Sequence, residues 1–300
     1  MKSILLSKKE CSVTTEVIEQ LKTSRNYSED FLAKVKENEK QVTVHEIIYL
    51  SRGLKILGYV VEPKNITRVL PCIIWNRGGS RGFASLQVGT CYRFMSDLAR
   101  QVYIVFASNY SGSPGSEGVD DWGGKNLSNV LDLYKIIKKY KWADEKRIGM
   151  FGWSRGAAMT YMCLAKVKWI KAAVAGAGPA DEVSAPKFRK GWREHQISLY
   201  GKSRQEQIKR SALYWPERIN KKTPLLIMHD TGDWRVSAID SIRMAEKLYE
   251  QKVPFRLHIY EGADHSLTEF RHEADQEIFN WFERFLKNKE PLPNLKLHGK

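Results

Sequence analysis

Beyond residue 41 the chain alternates short apolar runs with amphipathic stretches, and the spacing of the apolar positions separates strands from helices. Residues 42–50 and 54–61 are rich in strand-forming residues and read as two strands. Ser51-Arg52-Gly53 between them predicts a hairpin, and Pro63 closes the second strand. The next six runs, at 69–75, 102–108, 148–151, 172–175, 225–229 and 255–260, are almost continuously apolar, as strands are when both faces of their sheet are covered. Helical periodicity fills the intervals at 85–100, 125–142, 155–166, 237–251 and 268–287. Alternation of strand and helix predicts an α/β fold with a mostly parallel central sheet, an N-terminal hairpin and helices on both faces.

Two stretches depart from this rhythm. Residues 1–40 are polar and helix-like from Thr14 on, with Ser28 before Glu29 and Asp30 as a helix start, and read as a helical leader. Residues 179–224 are rich in aromatic and basic side chains (Phe188, Trp192, Tyr200, Tyr214, Trp215). They read as a short insertion over the carboxyl ends of the strands, either walling a pocket or packing as surface helices. The α/β domain then runs over 41–290, with a tail at 291–300.

The 300 residues, 42% hydrophobic and 11% aromatic, suffice for one large core. The first ten carry only Ile4, Leu5 and Leu6 before charge resumes, and no later run approaches membrane-spanning length, so the expectation is a cytoplasmic protein that meets no membrane. Four scattered cysteines without C-x-x-C spacing read as reduced packing residues, and no clustered ligand set suggests a metal or other cofactor. The net charge of +15 and the cluster Lys135, Lys138, Lys139, Lys141, Lys146 and Arg147 fit an anionic partner in principle. That cluster lies on the polar face of an amphipathic helix (Leu131, Tyr134, Ile136, Ile137) with no nucleic-acid motif beside it, so nucleic acid is not the expected partner.

Candidate chemistry sits at the strand ends. Gly152-Trp153-Ser154-Arg155-Gly156 matches G-x-S-x-G between a strand and a helix, the context of the nucleophile elbow in the α/β-hydrolase fold. A serine hydroxyl needs a base to take its proton, and the base needs an acid to fix its tautomer. In the order Ser, acid, His, the partners are Asp233 and His265, both just past apolar strands; Asp230 and Asp264 are the competing acids. One oxyanion donor is expected from the backbone N–H of Arg155. The second is expected from the loop Trp75-Asn76-Arg77-Gly78-Gly79-Ser80, as the Arg77 backbone, the Arg77 side chain or the Gly78 backbone.

These residues resemble the prolyl oligopeptidase family of serine peptidases, in a single-domain form. Besides the elbow, Asn109-Tyr110-Ser111-Gly112-Ser113 with Gly115 and Gly118 is similar to the family's N-Y-R-G-S-x-G-x-G segment. Gly232-Asp233-Trp234-Arg235-Val236 is similar to its G-x-x-D-x-x-V segment, which supports Asp233 as the acid. The resemblance implies a serine peptidase-type hydrolase of small molecules or short peptides. Arg77 stands where propeller-bearing members place an oxyanion tyrosine, Ser111 stands where many have Arg, and the stretch before Val69 is too short for their β-propeller. Tyr110, Trp153, Glu182 and Glu194 are candidates for substrate contact, the two glutamates for a free amino group. Arg155, Arg77 and Arg235 are alternative candidates for an anionic group. A carboxylesterase or thioesterase, a non-catalytic binding protein on the same scaffold, and a homo-oligomer stay open at this stage.

Overall fold

The computed structural model describes residues 4–25 and 27–299. They pack as two compact units, one running up to Asp120 and resuming over Ser128–Glu145, the other made of Asp121–Leu127 and the chain from Lys146 onwards.

The first unit opens with strand β1 (Leu5–Cys11), followed by helices α1 (Thr15–Arg25) and α2 (Glu29–Glu39). Ser28 caps α2, its hydroxyl accepting from the Phe31 N–H at 3.3 Å. The strand corrects the reading of 1–40 as purely helical. Its LLSKKEC sequence shows no apolar period because β1 pairs on one side with β2 (Val42–Ser51) and leaves Lys8 and Lys9 on an exposed edge, where lysine discourages further pairing. Strands β2 and β3 (Leu54–Pro63) form the expected hairpin, Ser51 facing Leu54 and both Arg52 and Gly53 at positive φ. Strand β4 (Leu70–Asn76) leads through α3 (Val88–Thr90), a π turn (Cys91–Met95) and α4 (Ser96–Arg100) to β5 (Ile104–Ser108), which lies parallel to β4 and antiparallel to β3. The helix expected to start at 85 starts late because the Asn109 side chain bonds both Leu86 N–H (2.7 Å) and Leu86 C=O (3.0 Å), holding that segment out of helical geometry. Helix α5 (Leu127–Ile137) falls almost wholly in this unit, with Lys135, Lys138 and Lys139 at or just beyond its end exposed to solvent.

The second unit contains β6 (Ala143–Trp153, from Lys146 on), α6 (Arg155–Leu164), β7 (Ile170–Gly176), α7 (Ala185–Phe188), α8 (Trp192–Tyr200), α9 (Arg204–Lys209), β8 (Leu225–Asp230), α10 (Ala238–Glu250), β9 (Phe255–Tyr260) and α11 (Arg271–Phe282). Its strands run in the order β6-β7-β8-β9, all parallel. Every residue of α6 is buried, Arg155 and Thr160 included, and β8 is buried along its whole length, from the apolar Leu225–Met228 to the polar His229 and Asp230 at its end. Parallel strands aim their carboxyl ends at one rim, which carries residues 154, 177–182, 231–236 and 261–268.

The insertion of 179–224 is tied down by a buried carboxylate. Glu182, fully enclosed, accepts from Trp122 Nε1 (3.0 Å), Trp192 Nε1 (3.0 Å), Gln196 Nε2 (2.9 Å) and Tyr200 OH (3.1 Å). Trp122, Trp192 and Leu199 pack together around it. No helix among the described residues is long and apolar enough to cross a membrane.

Candidate active site

Ser154 stands at the turn from β6 into α6 with φ 56° and ψ −126°, a backbone conformation that non-glycine residues rarely adopt. The turn is held by the Ser154 N–H donating to Gly176 C=O at 2.8 Å. It is possible only because position 152 lacks a side chain, since a Cβ there would overlap the Gly156 carbonyl. The strained turn lifts the serine off the strand and starts α6 at once, so the Arg155 N–H lies in the first helical turn, where N–H groups point along the axis out of the helix.

The loops after β8 and β9 pack on each other. A Cβ on Gly232 would come 2.5 Å from Ala263 C=O, and the Gly262 N–H donates to Thr231 Oγ1 at 2.8 Å. This close approach puts His265 Nδ1 2.6 Å from Asp233 Oδ2. The other oxygen of Asp233 accepts the Arg235 and Val236 backbone N–H groups at 2.7 and 3.0 Å, which fixes the carboxylate plane. His265 Nδ1–H donates to the carboxylate, so the free tautomer presents a lone pair at Nε2.

A second imidazole shares the acid. His229, at the end of β8, places Nε2 3.3 Å from Asp233 Oδ2 and 3.1 Å from Val236 C=O, while Nδ1 meets Ser241 Oγ at 2.7 Å. Nε2 faces two acceptors, so it carries the proton and Nδ1 accepts from the serine. Burial works to raise the Asp233 pKa, but the hydrogen bonds from His229 and His265 overcome it and hold the carboxyl well below the usual range. Sequence reasoning alone does not find this contact; its signal is a histidine four residues before an acid at a strand end.

Of the competing acids, Asp264 organises its own loop. Oδ1 accepts Ser266 N–H (2.9 Å) and Thr268 N–H (3.0 Å), and Oδ2 accepts Thr268 Oγ1 (2.9 Å). Asp230 is fully buried, and neither carboxyl oxygen finds a hydrogen-bond partner among the described residues. Burial first, then the neighbouring Asp233 charge, push it up to about 7, against a pull from His229. Asp264 adds a weaker repulsion, and Tyr260 pairs with Asp230 in register on β9. An acid raised this way keeps its proton in the folded state between the unfolded pKa of about 4 and the folded one of about 7, so the folded form binds more protons than the unfolded chain in that window. Stability therefore falls as pH rises from 4 to 7. Asp230→Asn removes that slope, and thermal melts are expected to show the variant gaining on the wild type with rising pH and melting higher at pH 8.

Trp153 Nε1 donates to His265 C=O at 2.8 Å, so the elbow itself holds the histidine loop. Trp153 itself is half-buried. Tyr110 is fully buried, its OH donating to Arg77 C=O at 3.2 Å. Glu182 is enclosed by its four donors, and Glu194 is exposed on α8, so the two carboxylates do not form one amine-binding pair. In the first unit the Arg77 guanidinium is engaged by Asn109 C=O (2.9 Å), Gly78 C=O (2.9 Å), Arg81 C=O (3.0 Å), Phe83 C=O (3.2 Å) and Ser113 Oγ. It shapes its own loop, so the side chain is not available as an oxyanion donor. Arg155 is 1% exposed, with its guanidinium 4.7 Å from the Trp122 ring centre, so of the three arginines read as anion-binding only Arg235 reaches solvent. His229, Asp230 and Asp233 are close enough together to hold a metal ion, but Asp233 is already engaged by two histidines and two backbone N–H groups.

Known proteins resemble the chain in sequence and in fold. It is 24% identical over 253 residues to the uncharacterized peptidase YtmA of Bacillus subtilis, covering 83% of this chain and 95% of YtmA. It is 25% identical over 261 residues to dipeptidyl-peptidase 5 of Porphyromonas gingivalis, covering 78% of this chain but 36% of that protein. The acylaminoacyl peptidase of Pyrococcus horikoshii superposes with a TM-score of 0.73 at 20% identity, over 85% of this chain and 44% of that one. The chain thus spans nearly all of YtmA and under half of the other two. The family model described as the prolyl oligopeptidase family matches residues 93–289, more than half of the sequence, and the chain belongs to that family as a serine hydrolase of the α/β-hydrolase fold.

Proposed function

We propose that Ser154, His265 and Asp233 form a catalytic triad that hydrolyses ester or amide bonds of small molecules or short peptides through an acyl-enzyme. The observation that carries this reading is the 2.6 Å bond from His265 Nδ1 to an Asp233 carboxylate whose other oxygen is pinned by two backbone N–H groups. His265 Nε2 takes the Ser154 proton as Oγ adds to the substrate carbonyl, and Asp233 stabilises the imidazolium that forms. The oxyanion gathers beside the Arg155 N–H at the start of α6, where the helix dipole also favours negative charge. Collapse of the adduct passes the proton from His265 to the leaving alcohol or amine. Water then repeats the sequence on the acyl-enzyme and restores Ser154.

The test is fluorophosphonate labelling of wild type and Ser154→Ala, followed by turnover of p-nitrophenyl acetate and of a panel of aminoacyl and acylaminoacyl anilides. Labelling and turnover are expected in the wild type and loss of both in the variant. Anilide cleavage supports peptidase action, whereas ester turnover alone restricts the enzyme to carboxylesters. A folded wild type that takes no label overturns the triad.

A further inference from the structure

Next to Asp233 an exposed indole is flanked by two guanidinium groups. Trp234 is 63% exposed. The Arg235 guanidinium carbon lies 4.6 Å from its ring centre, and that of Arg189, at the end of α7, lies 5.8 Å away on the same indole and 4.6 Å from Trp192. Both arginines are half-buried. Trp192 is itself locked by its Nε1 bond to Glu182, and the Arg235 backbone by its bond to Asp233, so the pair is held on fixed supports. Stacking on aromatic faces removes much of the rotamer freedom that a guanidinium otherwise loses on binding.

Among the described residues no carboxylate comes within ion-pair distance of Arg189. The two acids whose charge reaches it, Asp233 and Glu182, each already accept four donors. Burial first, then the like charge of Arg235, push the Arg189 pKa down, so an anion beside Arg189 would favour its charged form.

We propose that Arg189 and Arg235, stacked on Trp192 and Trp234, form a subsite for a carboxylate on the substrate, which makes the enzyme selective for acidic esters or amides. The inference rests on the hydrolase reading above and names its substrate class. The planar forks suit a carboxylate's two oxygens, the exposed indole covers the apolar segment that links the carboxylate to the scissile carbonyl, and the net charge of +15 steers anions inward.

The experiment compares kcat/KM for mono-p-nitrophenyl adipate with that for its neutral methyl ester, in wild type, Arg189→Gln, Arg235→Gln and the double variant. The wild type is expected to favour the acidic ester by about tenfold or more. Each single variant is expected to erase most of that preference through KM, and added salt to erode it in the wild type. A second arm moves the carboxylate to the leaving group, using butyryl esters of 4-hydroxybenzoate and of its methyl ester; preference in one arm only locates the subsite on the acyl or the leaving side. Calorimetric titration of monomethyl adipate into Ser154→Ala, with and without the two arginines, reads the subsite without turnover, and arginine-dependent binding is expected. Turnover of the neutral esters with no preference for the acidic ones in either arm, or preference that survives the double variant, overturns the subsite and leaves the hydrolase standing. No turnover and no fluorophosphonate label overturns the hydrolase, and the titration then decides the subsite by itself.

Discussion

Asp233→Asn is expected to lower kcat by about four orders of magnitude while leaving the protein folded, a loss set by tautomer rather than by distance. Oδ1 of Asp233 faces the N–H groups of Arg235 and Val236, so the amide oxygen of an asparagine must take that side and its NH₂ must face the two imidazoles. His265 can then meet that NH₂ only with a lone pair on Nδ1, which moves its proton to Nε2, the atom that has to accept from Ser154. His229 keeps Val236 C=O as an acceptor at 3.1 Å and so holds the loop in place. Pre-steady-state hydrolysis of p-nitrophenyl acetate separates the outcomes: a slow acylation phase with unchanged melting temperature fits the tautomer argument. Near-normal acylation removes Asp233 from the triad.

Glu182→Ala carries the largest expected effect on stability. Truncation leaves two indole N–H groups, an amide and a phenol without their acceptor in a site closed to water. Each buried donor left unmade costs about 1–3 kcal/mol, and Gln196 retains a second acceptor in Glu182 C=O at 2.6 Å. A net loss of roughly 3–5 kcal/mol follows, which lowers the melting temperature by roughly 5–10 °C. Glu182→Gln, which keeps the volume and one acceptor oxygen, is expected to lose less. Calorimetry on the two variants checks the order, and an Ala variant as stable as the wild type would show that the insertion is held by its apolar contacts alone.

What the sequence makes legible here is what lies close along the chain. The strand-turn-helix around Ser154 and the strand-end positions of Asp233 and His265 are local patterns, because each follows a short run rich in apolar residues that ends where a polar loop begins. What eludes it depends on distant partners. Strand β1 is a strand only because β2 offers an edge to a polar segment. The late start of the helix after β4 is imposed by Asn109, beyond the helix itself. Glu182 reads as a candidate for a substrate's amino group until Trp122, sixty positions earlier, supplies a donor. The same holds for charge: three arginines read alike in the sequence, yet Arg77 and Arg155 are enclosed. The partner that Arg235 shares Trp234 with is Arg189, from an insertion whose packing no periodicity announces.

The bond from Trp153 to the main-chain carbonyl of residue 265 bears on how such an enzyme can drift over evolutionary time. The loop around His265 is fastened through that carbonyl and through the carboxylate of Asp264, neither of which involves the imidazole. Asp233 is different, since its own side chain ties the loop that bears it. Selection for a well-folded chain therefore guards an oxygen acceptor at position 233 and the main chain at 265 more firmly than the imidazole that 265 carries. A lineage released from its chemical task would lose the histidine first, and would keep a sound scaffold with its charged aromatic lip intact, ready to persist as a protein that only binds.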